Sequence, residues 1–306
     1  MYSKVKYAFF EGKIVPISEA KVSIGCHGFM YATSIFEGIR AYWDAEQKQM
    51  FVLRLTDHIE RMFDSMKIML LELKYSVKEL DQIIIDLLKR EQFQTDVYVR
   101  ITVYKSATKI GVGLQNLPSD ICIFAIPFDD YYEGKEGLHV CVSNWRRVED
   151  NAIPARAKIV GAYANSAICK ADAILSGFDE AIVLSESGNV SEGSAMNVFM
   201  VKHGCLITPP GTENILEGIT RDAILKIAED LDIKTAIRDV DRSELYIADE
   251  LFFTGTGAQV KPILSVDKRR VGTGKPGPIT SKLMENYYSM SKGKIAKYKH
   301  WLTPVY

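Results

Sequence analysis

The stretch Pro154-Ala155-Arg156-Ala157-Lys158-Ile159-Val160-Gly161-Ala162-Tyr163 decides how this chain is read. Lys158 sits among small and apolar neighbours. Burial in such surroundings disfavours the ammonium form and leaves an amine that is nucleophilic near neutral pH. Most of the 38 Lys and Arg residues are expected to be solvated surface charges, so this run alone does not set Lys158 apart. Three later stretches do. They are an acidic hairpin, Val190-Ser191-Glu192-Gly193-Ser194-Ala195-Met196-Asn197, a helix start, Gly218-Ile219-Thr220-Arg221, and a turn, Thr254-Gly255-Thr256-Gly257. They add a carboxylate and two sets of backbone N–H groups suited to an anion.

The bulk numbers set the frame. A chain of 306 residues predicts about two domains. A hydrophobic fraction of 47% with 25% charged residues is that of a soluble globular protein. The net charge of −1 gives no case for nucleic-acid binding. No apolar run approaches the ~18 residues of a membrane span. The first ten residues, Met1 to Phe10, carry only a short apolar patch and predict no signal peptide. Five dispersed cysteines, Cys26, Cys122, Cys141, Cys169 and Cys205, fit buried thiols in a reducing compartment, so a cytoplasmic location is expected. The five histidines have no ligand spacing, and no metal site is expected.

The first third of the chain reads as mixed helix and strand. Tyr7 to Pro16 predicts a hairpin turning at Glu11-Gly12, and Phe51 to Leu55 a short strand. Thr56 is positioned to cap a helix whose apolar stripe is Ile59, Met62, Phe63, Met66 and Leu70. Arg61 falls off that stripe and is expected to face away from the packing side. Ser76-Val77-Lys78-Glu79 is a capping box for a second helix through Leu88. Val97 to Tyr104 is a strand with Val97, Val99, Ile101 and Val103 on one face and Tyr98, Arg100, Thr102 and Tyr104 on the other. That second face suits either a solvated antiparallel surface or a carboxylate site. Ile121 to Phe128 is a further strand.

Asp129 to Gly137 is short, polar and glycine-bearing, and reads as a linker. The expected division is a small α/β domain at 1–128, an interdomain loop at 129–137 and a larger domain at 138–306. In the latter, strands are predicted at 139–144, 180–184, 197–201 and 206–208, and helices at 163–175 and 220–231. Two nucleotide-binding motifs fail. Arg269 to Pro276 lacks the first glycine of a P-loop and has proline where Ser or Thr would hold magnesium, and Thr254 to Val260 is not G-x-G-x-x-G. An amine, a carboxylate and two anion-binding turns form the inventory that a pyridoxal-phosphate enzyme needs.

The order Tyr31…Phe36-Glu37-Gly38-Ile39-Arg40, Arg61, Tyr98-Val99-Arg100, Lys158…Tyr163, Ser191-Glu192…Asn197, Gly218-Ile219-Thr220-Arg221-Asp222 and Gly255-Thr256-Gly257-Ala258 resembles the branched-chain amino acid aminotransferases. These are fold type IV pyridoxal-phosphate enzymes, and the resemblance runs over nearly the whole chain. Each piece is weakly specific, whereas seven in order are strongly so. The resemblance implies a two-domain mixed α/β fold, with a small α/β domain and a larger domain whose mixed strands form a pseudo-barrel.

By that resemblance Lys158 holds the cofactor covalently and moves a proton at the substrate α-carbon. Glu192 faces the pyridine nitrogen, and Tyr163 donates to the cofactor's phenolic oxygen. Arg61, Ile219, Thr220 and Thr256 hold the phosphate, although Thr220 also reads as an ordinary N-cap. Tyr98, Gly257 and Ala258 hold the substrate α-carboxylate, and Arg100 orients them and receives the glutamate side chain. Tyr31, Phe36, Gly38, Phe128 and Tyr131 line the side-chain pocket. The loop bearing Tyr31 reaches the neighbouring subunit's site in the family, which implies at least a homodimer. The implied reaction passes the amino group between leucine, isoleucine or valine and 2-oxoglutarate, as in branched-chain amino acid biosynthesis.

This sequence departs from the family pattern at Ile159-Val160, at Gly257, where alanine is frequent, and at Lys105 to Lys109. The last places Lys105 and Lys109 near the expected pocket mouth. These changes bear on substrate range. The alternatives weighed are a D-amino acid or (R)-amine transaminase and a chorismate-derived lyase of the same fold, and a non-catalytic cofactor-binding protein. Phe36, Gly38 and the Tyr98-x-Arg100 pair speak against the first two, and the joint presence of Lys158 and Glu192 against the last.

Overall fold

The structure is a computed structural model. It describes residues 4–306; Met1 to Ser3, the start of the stretch read for targeting signals, lie outside the described residues. The chain separates into two compact units. One comprises residues up to Tyr131, Ala157–Gly161 and Met290–Tyr306, and the other Tyr132–Arg156 and Ala162–Ser289.

This division differs from the contiguous one expected from composition. Strand β16 (Leu302–Pro304) pairs antiparallel with β4 (Gln49–Leu53), which returns the end of the described chain to the first unit. The Lys158 segment joins the same unit through an isolated bridge from Ile159 to Ile35. Neither pairing leaves a compositional trace. Tyr132, inside the expected linker, already belongs to the second unit, where its hydroxyl donates to Glu180 at 2.6 Å.

The first unit is built on a seven-stranded sheet of order β16-β4-β3-β5-β6-β1-β2, with β1 Tyr7–Phe10, β2 Lys13–Pro16, β3 Ser34–Asp44, β5 Val97–Lys105 and β6 Ser119–Pro127. All its pairings are antiparallel. The β1–β2 hairpin turns at Glu11 and Gly12, both at positive φ (48° and 80°), as a two-residue turn requires. A short helix, α1 (His27–Tyr31), precedes β3. Helices α2 (Leu55–Ile68) and α3 (Val77–Glu91) pack on β3 and β1 respectively. The α3 capping box forms as predicted.

The start of α2 differs from expectation. Leu55 opens the helix, Arg54 precedes it in the left-handed region, and the Arg54 guanidinium takes Asp57 of the first turn. Thr56 is no cap, since its hydroxyl donates to Asp81 of α3 at 2.8 Å. Lys105 is buried rather than at a pocket mouth, and its ammonium donates to the carbonyls of Leu70 and Leu117.

Register between β3 and β5 sorts their residues onto two faces. Ile35, Glu37, Ile39 and Ala41 stand opposite Val103, Ile101, Val99 and Val97, and Phe36, Gly38 and Arg40 opposite Thr102, Arg100 and Tyr98. The apolar alternation of β5 therefore fixes which β3 residues share the other face.

The second unit carries a nine-stranded sheet. Its path is β12-β11-β10-β13-β14-β7-β8-β9, with β15 paired to β14. The strands are β7 Leu138–Arg146, β8 Glu180–Leu184, β9 Val190–Gly193, β10 Asn197–Lys202, β11 Cys205–Thr208, β12 Thr235–Ile237, β13 Glu250–Gly255, β14 Gln259–Val266 and β15 Arg269–Arg270. Four strands separate β10 from β9 along this path, a distance of about 24 Å in a flat sheet. Yet only Ser194 to Met196 connect them, a link that reaches at most about 14 Å. The sheet must therefore curl into a half-barrel, and Gly193 N–H donates to the Met196 carbonyl at 2.7 Å across the closing turn. Val140, Val198, Phe253 and Ile263 lie within its core. Helix α4 (Tyr163–Leu175) seals its flank, with Cys169 and Ala173 against Ala181 and Val183.

Candidate active site

Lys158 is pinned through its backbone. Phe36 N–H donates to the Lys158 carbonyl at 3.0 Å, and Lys158 N–H donates to Ser65 Oγ of α2 at 3.2 Å. The part-buried side chain sets Nζ 4.9 Å from the centre of the Phe36 ring.

From Phe36 a wall of predicted residues continues. The Arg100 guanidinium lies 4.2 Å from the Phe36 ring and 5.3 Å from that of Tyr98. Tyr98 packs on Phe128 (5.6 Å between centroids), and Phe128 on Tyr131 (6.2 Å). Gly38 makes this wall possible. A Cβ there would stand 1.9 Å from the Tyr98 hydroxyl oxygen, so the phenol lies directly across the strand at that point. The wall includes Arg40, which stands opposite Tyr98. It is buried, 5.1 Å from the Phe128 ring, and donates to the Asp129 carbonyl at 2.7 Å, while its Nε and Nη1 have no hydrogen-bond partner among the described residues. Once β3 is known to be a strand, period two from Phe36 and Gly38 places Arg40 on their face.

Tyr31 stands apart from this wall. Its hydroxyl accepts from Gly111 N–H at 3.1 Å and its ring lies 4.8 Å from that of His27. His27 is fully buried and uses both ring nitrogens, on Thr33 Oγ1 (2.7 Å) and the Gly111 carbonyl (2.8 Å).

Arg61 does not face away from the packing side. Its Nε and Nη2 donate to the two oxygens of Glu37 at 2.8 and 2.9 Å. Glu37 is the one charged group in the inner row Ile35, Glu37, Ile39, Ala41, and a carboxylate fully removed from water requires partners. His58 supplies the second, with Nδ1 at 2.8 Å from Oε2. Burial alone would raise the Glu37 pKa. The positive charge of Arg61 and the His58 bond overcome it and hold this carboxyl well below the ordinary range. Burial depresses the pKa of His58, so the imidazole stays neutral.

In the second unit Glu192, on β9, is buried and held on both oxygens. Arg147 Nη2 pairs with Oε1 at 2.9 Å, while Asn197 Nδ2 (3.1 Å) and Leu216 N–H (3.3 Å) donate to Oε2. Arg147 carried no sequence signal, since nothing before the fold places residue 147 beside residue 192. Asn197, at the end of the acidic hairpin, also donates to the Leu216 carbonyl at 2.8 Å.

The N-terminus of α5 (Ile219–Asp230) lies beside this group. Gly218 is its N-cap, with no side-chain cap bond, which displaces Thr220 from that expected role to the second helical position. A Cβ at Gly218 would meet Asn197 Oδ1 at 2.2 Å, so only glycine lets the helix start so close to the Glu192 bracket. No N-cap side chain serves the amides at this helix start, and N–H groups so placed suit an anion. Thr256, Gly257 and Ala258 form the turn between β13 and β14, where Gly255 pairs with Gln259. Thr254 Oγ1, immediately before it, is buried with no partner among the described residues. Tyr163 is the first residue of α4. A braced carboxylate, an uncapped helix start and a glycine-flanked threonine turn fit a cofactor with a ring nitrogen and a phosphate.

The comparisons agree. The family model for class IV amino-transferases matches residues 34–266. A probable branched-chain-amino-acid aminotransferase of Aquifex aeolicus is 46% identical over 301 residues, covering 98% of this chain and 97% of the relative. The Salmonella typhimurium branched-chain-amino-acid aminotransferase is 36% identical over 99% of this chain and 98% of its own. The crystal structure of the branched-chain aminotransferase of Thermoproteus uzoniensis with norvaline superposes with a TM-score of 0.95 at 40% identity, covering 99% of this chain and 100% of that one. The branched-chain amino acid aminotransferase of Thermobaculum terrenum in its PLP-form (holo-form) does so with a TM-score of 0.95 at 36% identity, over 99% of each chain. This chain therefore belongs to the class IV aminotransferases, in the branched-chain-amino-acid aminotransferase family, whose cofactor is pyridoxal phosphate.

Proposed function

We propose that this enzyme transfers the α-amino group between branched-chain L-amino acids and 2-oxoglutarate. The observation that carries the reading is the Lys158 amine standing at the head of the Phe36–Arg100–Tyr98 wall, with its backbone fixed from both sides. Bound pyridoxal phosphate supplies an aldehyde that captures amines and a ring that takes up electrons from the α-carbon. The chain's residues do the rest. Lys158 Nζ would take the proton from the substrate α-carbon and hold it for return, and such positioned proton transfer contributes about 10²–10⁴ in rate. Glu192, held by Arg147 and Asn197, stabilises positive charge on the ring nitrogen, and Tyr163 donates to the phenolic oxygen. Arg61, the amides of Ile219 and Thr220, and Thr256 hold the phosphate.

Tyr98 and the backbone at Gly257 and Ala258 orient the substrate α-carboxylate. Arg100 receives the side-chain carboxylate of glutamate, which explains how one pocket serves an acidic and an aliphatic partner. Phe36, Gly38, Phe128 and Tyr131 offer the aliphatic chain an apolar surface, and Tyr31 contributes from a neighbouring subunit. A homodimer is supported by apolar residues around the Tyr31 loop. Ile24, Phe29, Ile110 and Val112 are more than 70% exposed, which is unusual for four large apolar side chains in one region. We place the enzyme in the cytoplasm, in keeping with five free cysteines. No helix among the described residues is long and apolar enough to cross a membrane.

The deciding experiment is a set of single half-reactions on the purified enzyme with leucine, isoleucine, valine, D-alanine and (R)-phenylethylamine, followed by cofactor absorbance. Borohydride should fix the cofactor on the peptide containing Lys158. Faster conversion of D-alanine or the (R)-amine than of leucine would overturn the substrate reading, and a label elsewhere would overturn the lysine.

A further inference from the structure

We propose that Glu37 and His58 are positioning residues for the cofactor phosphate: together they set the Arg61 guanidinium in the one orientation in which it receives a phosphate monoester. The inference rests on the reading of Arg61 as a phosphate ligand and goes beyond it, because neither Glu37 nor His58 has any part in that reading.

Three observations converge. Glu37 sits on β3 between Phe36 and Gly38, but register turns it onto the opposite face, among Ile35, Ile39 and Ile101. A carboxylate in that row is 0% exposed and adds nothing to the substrate wall. Second, Arg61 meets it through Nε and Nη2, one whole edge of the planar fork, at 2.8 and 2.9 Å. Because the fork is rigid, fixing that edge fixes the direction of the other, which carries N–H groups away from Glu37. Third, His58 is one helical turn before Arg61 on α2 and holds the same Glu37 oxygen that Nη2 uses, at 2.8 Å. His58 therefore locks the carboxylate, and the carboxylate locks the guanidinium. Ser65, one turn later, accepts from Lys158 N–H and donates to the Arg61 carbonyl at 3.0 Å, which ties the same helix to the lysine backbone.

The electrostatics give this arrangement a function beyond stability. Glu37 cancels the net charge of Arg61, and His58 is neutral, so the cluster offers the phosphate directed hydrogen bonds more than bare positive charge. An arginine without Glu37 would keep its charge but lose its aim. A role confined to packing would affect every ligand of the site alike, whereas a role in aiming Arg61 affects only ligands that carry a phosphate.

The test compares pyridoxal phosphate with pyridoxal, which lacks the phosphate, by titrating both into apoenzyme prepared from the purified protein. The proteins are the wild type, Arg61→Gln, Glu37→Gln and His58→Gln, and the phosphorus NMR signal of the bound phosphate is recorded for each. For Arg61→Gln the affinity for pyridoxal phosphate should fall by about 10²-fold with pyridoxal unchanged. For Glu37→Gln the same selective loss should be about tenfold, with a broadened or displaced phosphorus signal, and for His58→Gln severalfold. If Arg61→Gln leaves the ratio of the two affinities unchanged, the phosphate reading of Arg61 itself fails. If Arg61→Gln changes the ratio but neither Glu37→Gln nor His58→Gln does, only the positioning inference falls. Should Glu37→Gln not fold, His58→Gln, which retains the carboxylate–guanidinium pair, decides the matter alone. Equal loss of both ligands in either positioning variant overturns the inference in favour of packing.

Discussion

Lys158 and Glu192 each carry a group whose removal has a defined consequence, and Gly38 leaves a space whose filling has one. Replacing Lys158 by Ala removes the amine held at Phe36, and transamination of leucine should fall by more than about 10³-fold. The melting temperature should stay within a few degrees, because the backbone bonds to Phe36 and Ser65 do not need the side chain. Glu192→Gln keeps the shape of the bracket but removes the charge that Arg147 balances. The value of kcat should drop by about 10²-fold with a far smaller change in cofactor affinity; an unchanged kcat would refute the role of Glu192. Gly38→Val places methyl groups where the Tyr98 hydroxyl lies, 1.9 Å from the first added carbon. Tyr98 must swing away, and kcat/KM for leucine should fall by at least about tenfold, measured against the apolar and acidic substrates in parallel.

At the scale of elements, the α5 start shapes the Glu192 group of the second unit, and the β3–β5 pair shapes the Phe36 wall of the first. The α5 helix begins on Gly218 because Asn197 occupies the space that any Cβ would fill. Gly218→Ala should displace Asn197 from Glu192, destabilise the protein by about 1–3 kcal/mol and weaken cofactor retention, read by thermal melting and by dialysis. Full cofactor retention in that variant would show that the Asn197 bond to Glu192 is dispensable. Strand β5 was legible from its alternation of Val97, Val99, Ile101 and Val103, and helix α3 from its capping box. Strand β3 carries no such signal, because buried residues run without alternation from Ser34 to Tyr42. A strand covered on both faces loses the period that betrays it. The start of α2 is set by a tertiary partner. Thr56 has the right chemistry, but Asp81 on the neighbouring helix offered its hydroxyl a better partner.

The buried cluster on β3 and α2 ties stability to pH at the scale of the whole molecule. Glu37 is held below its ordinary value of 4.5 and His58 below its ordinary 6.5. In both cases the unfolded chain binds more protons than the native one, so stability rises with pH. The contribution is intact above about pH 6.5, declines as His58 sites in the unfolded state protonate, and is lost further as pH falls below 4.5. Unfolding by denaturant at pH 7, 5.5 and 4 should show this slope, and Glu37→Gln should flatten its acid part. Assembly belongs to the same scale. Phe29→Asp together with Ile110→Asp should convert a dimer to a monomer in sedimentation, and a monomeric wild type would remove the shared-site reading of Tyr31.

What the sequence by itself determined was the order of local features along the chain: the lysine, the acidic hairpin, the Gly218 helix start, the Thr254 to Gly257 turn and the Tyr98-x-Arg100 strand, with the family they resemble. Those signals are local, because turns, caps and period-two strands are set by neighbours within a few residues. Only the tertiary structure decided that Arg61 turns inward to Glu37, that Arg147 braces Glu192, that Lys105 is buried, and that the last strand joins the first sheet. Each of these is a pairing between residues far apart in the chain. A buried charge must find its counterpart wherever folding delivers one, and no local pattern records where that will be.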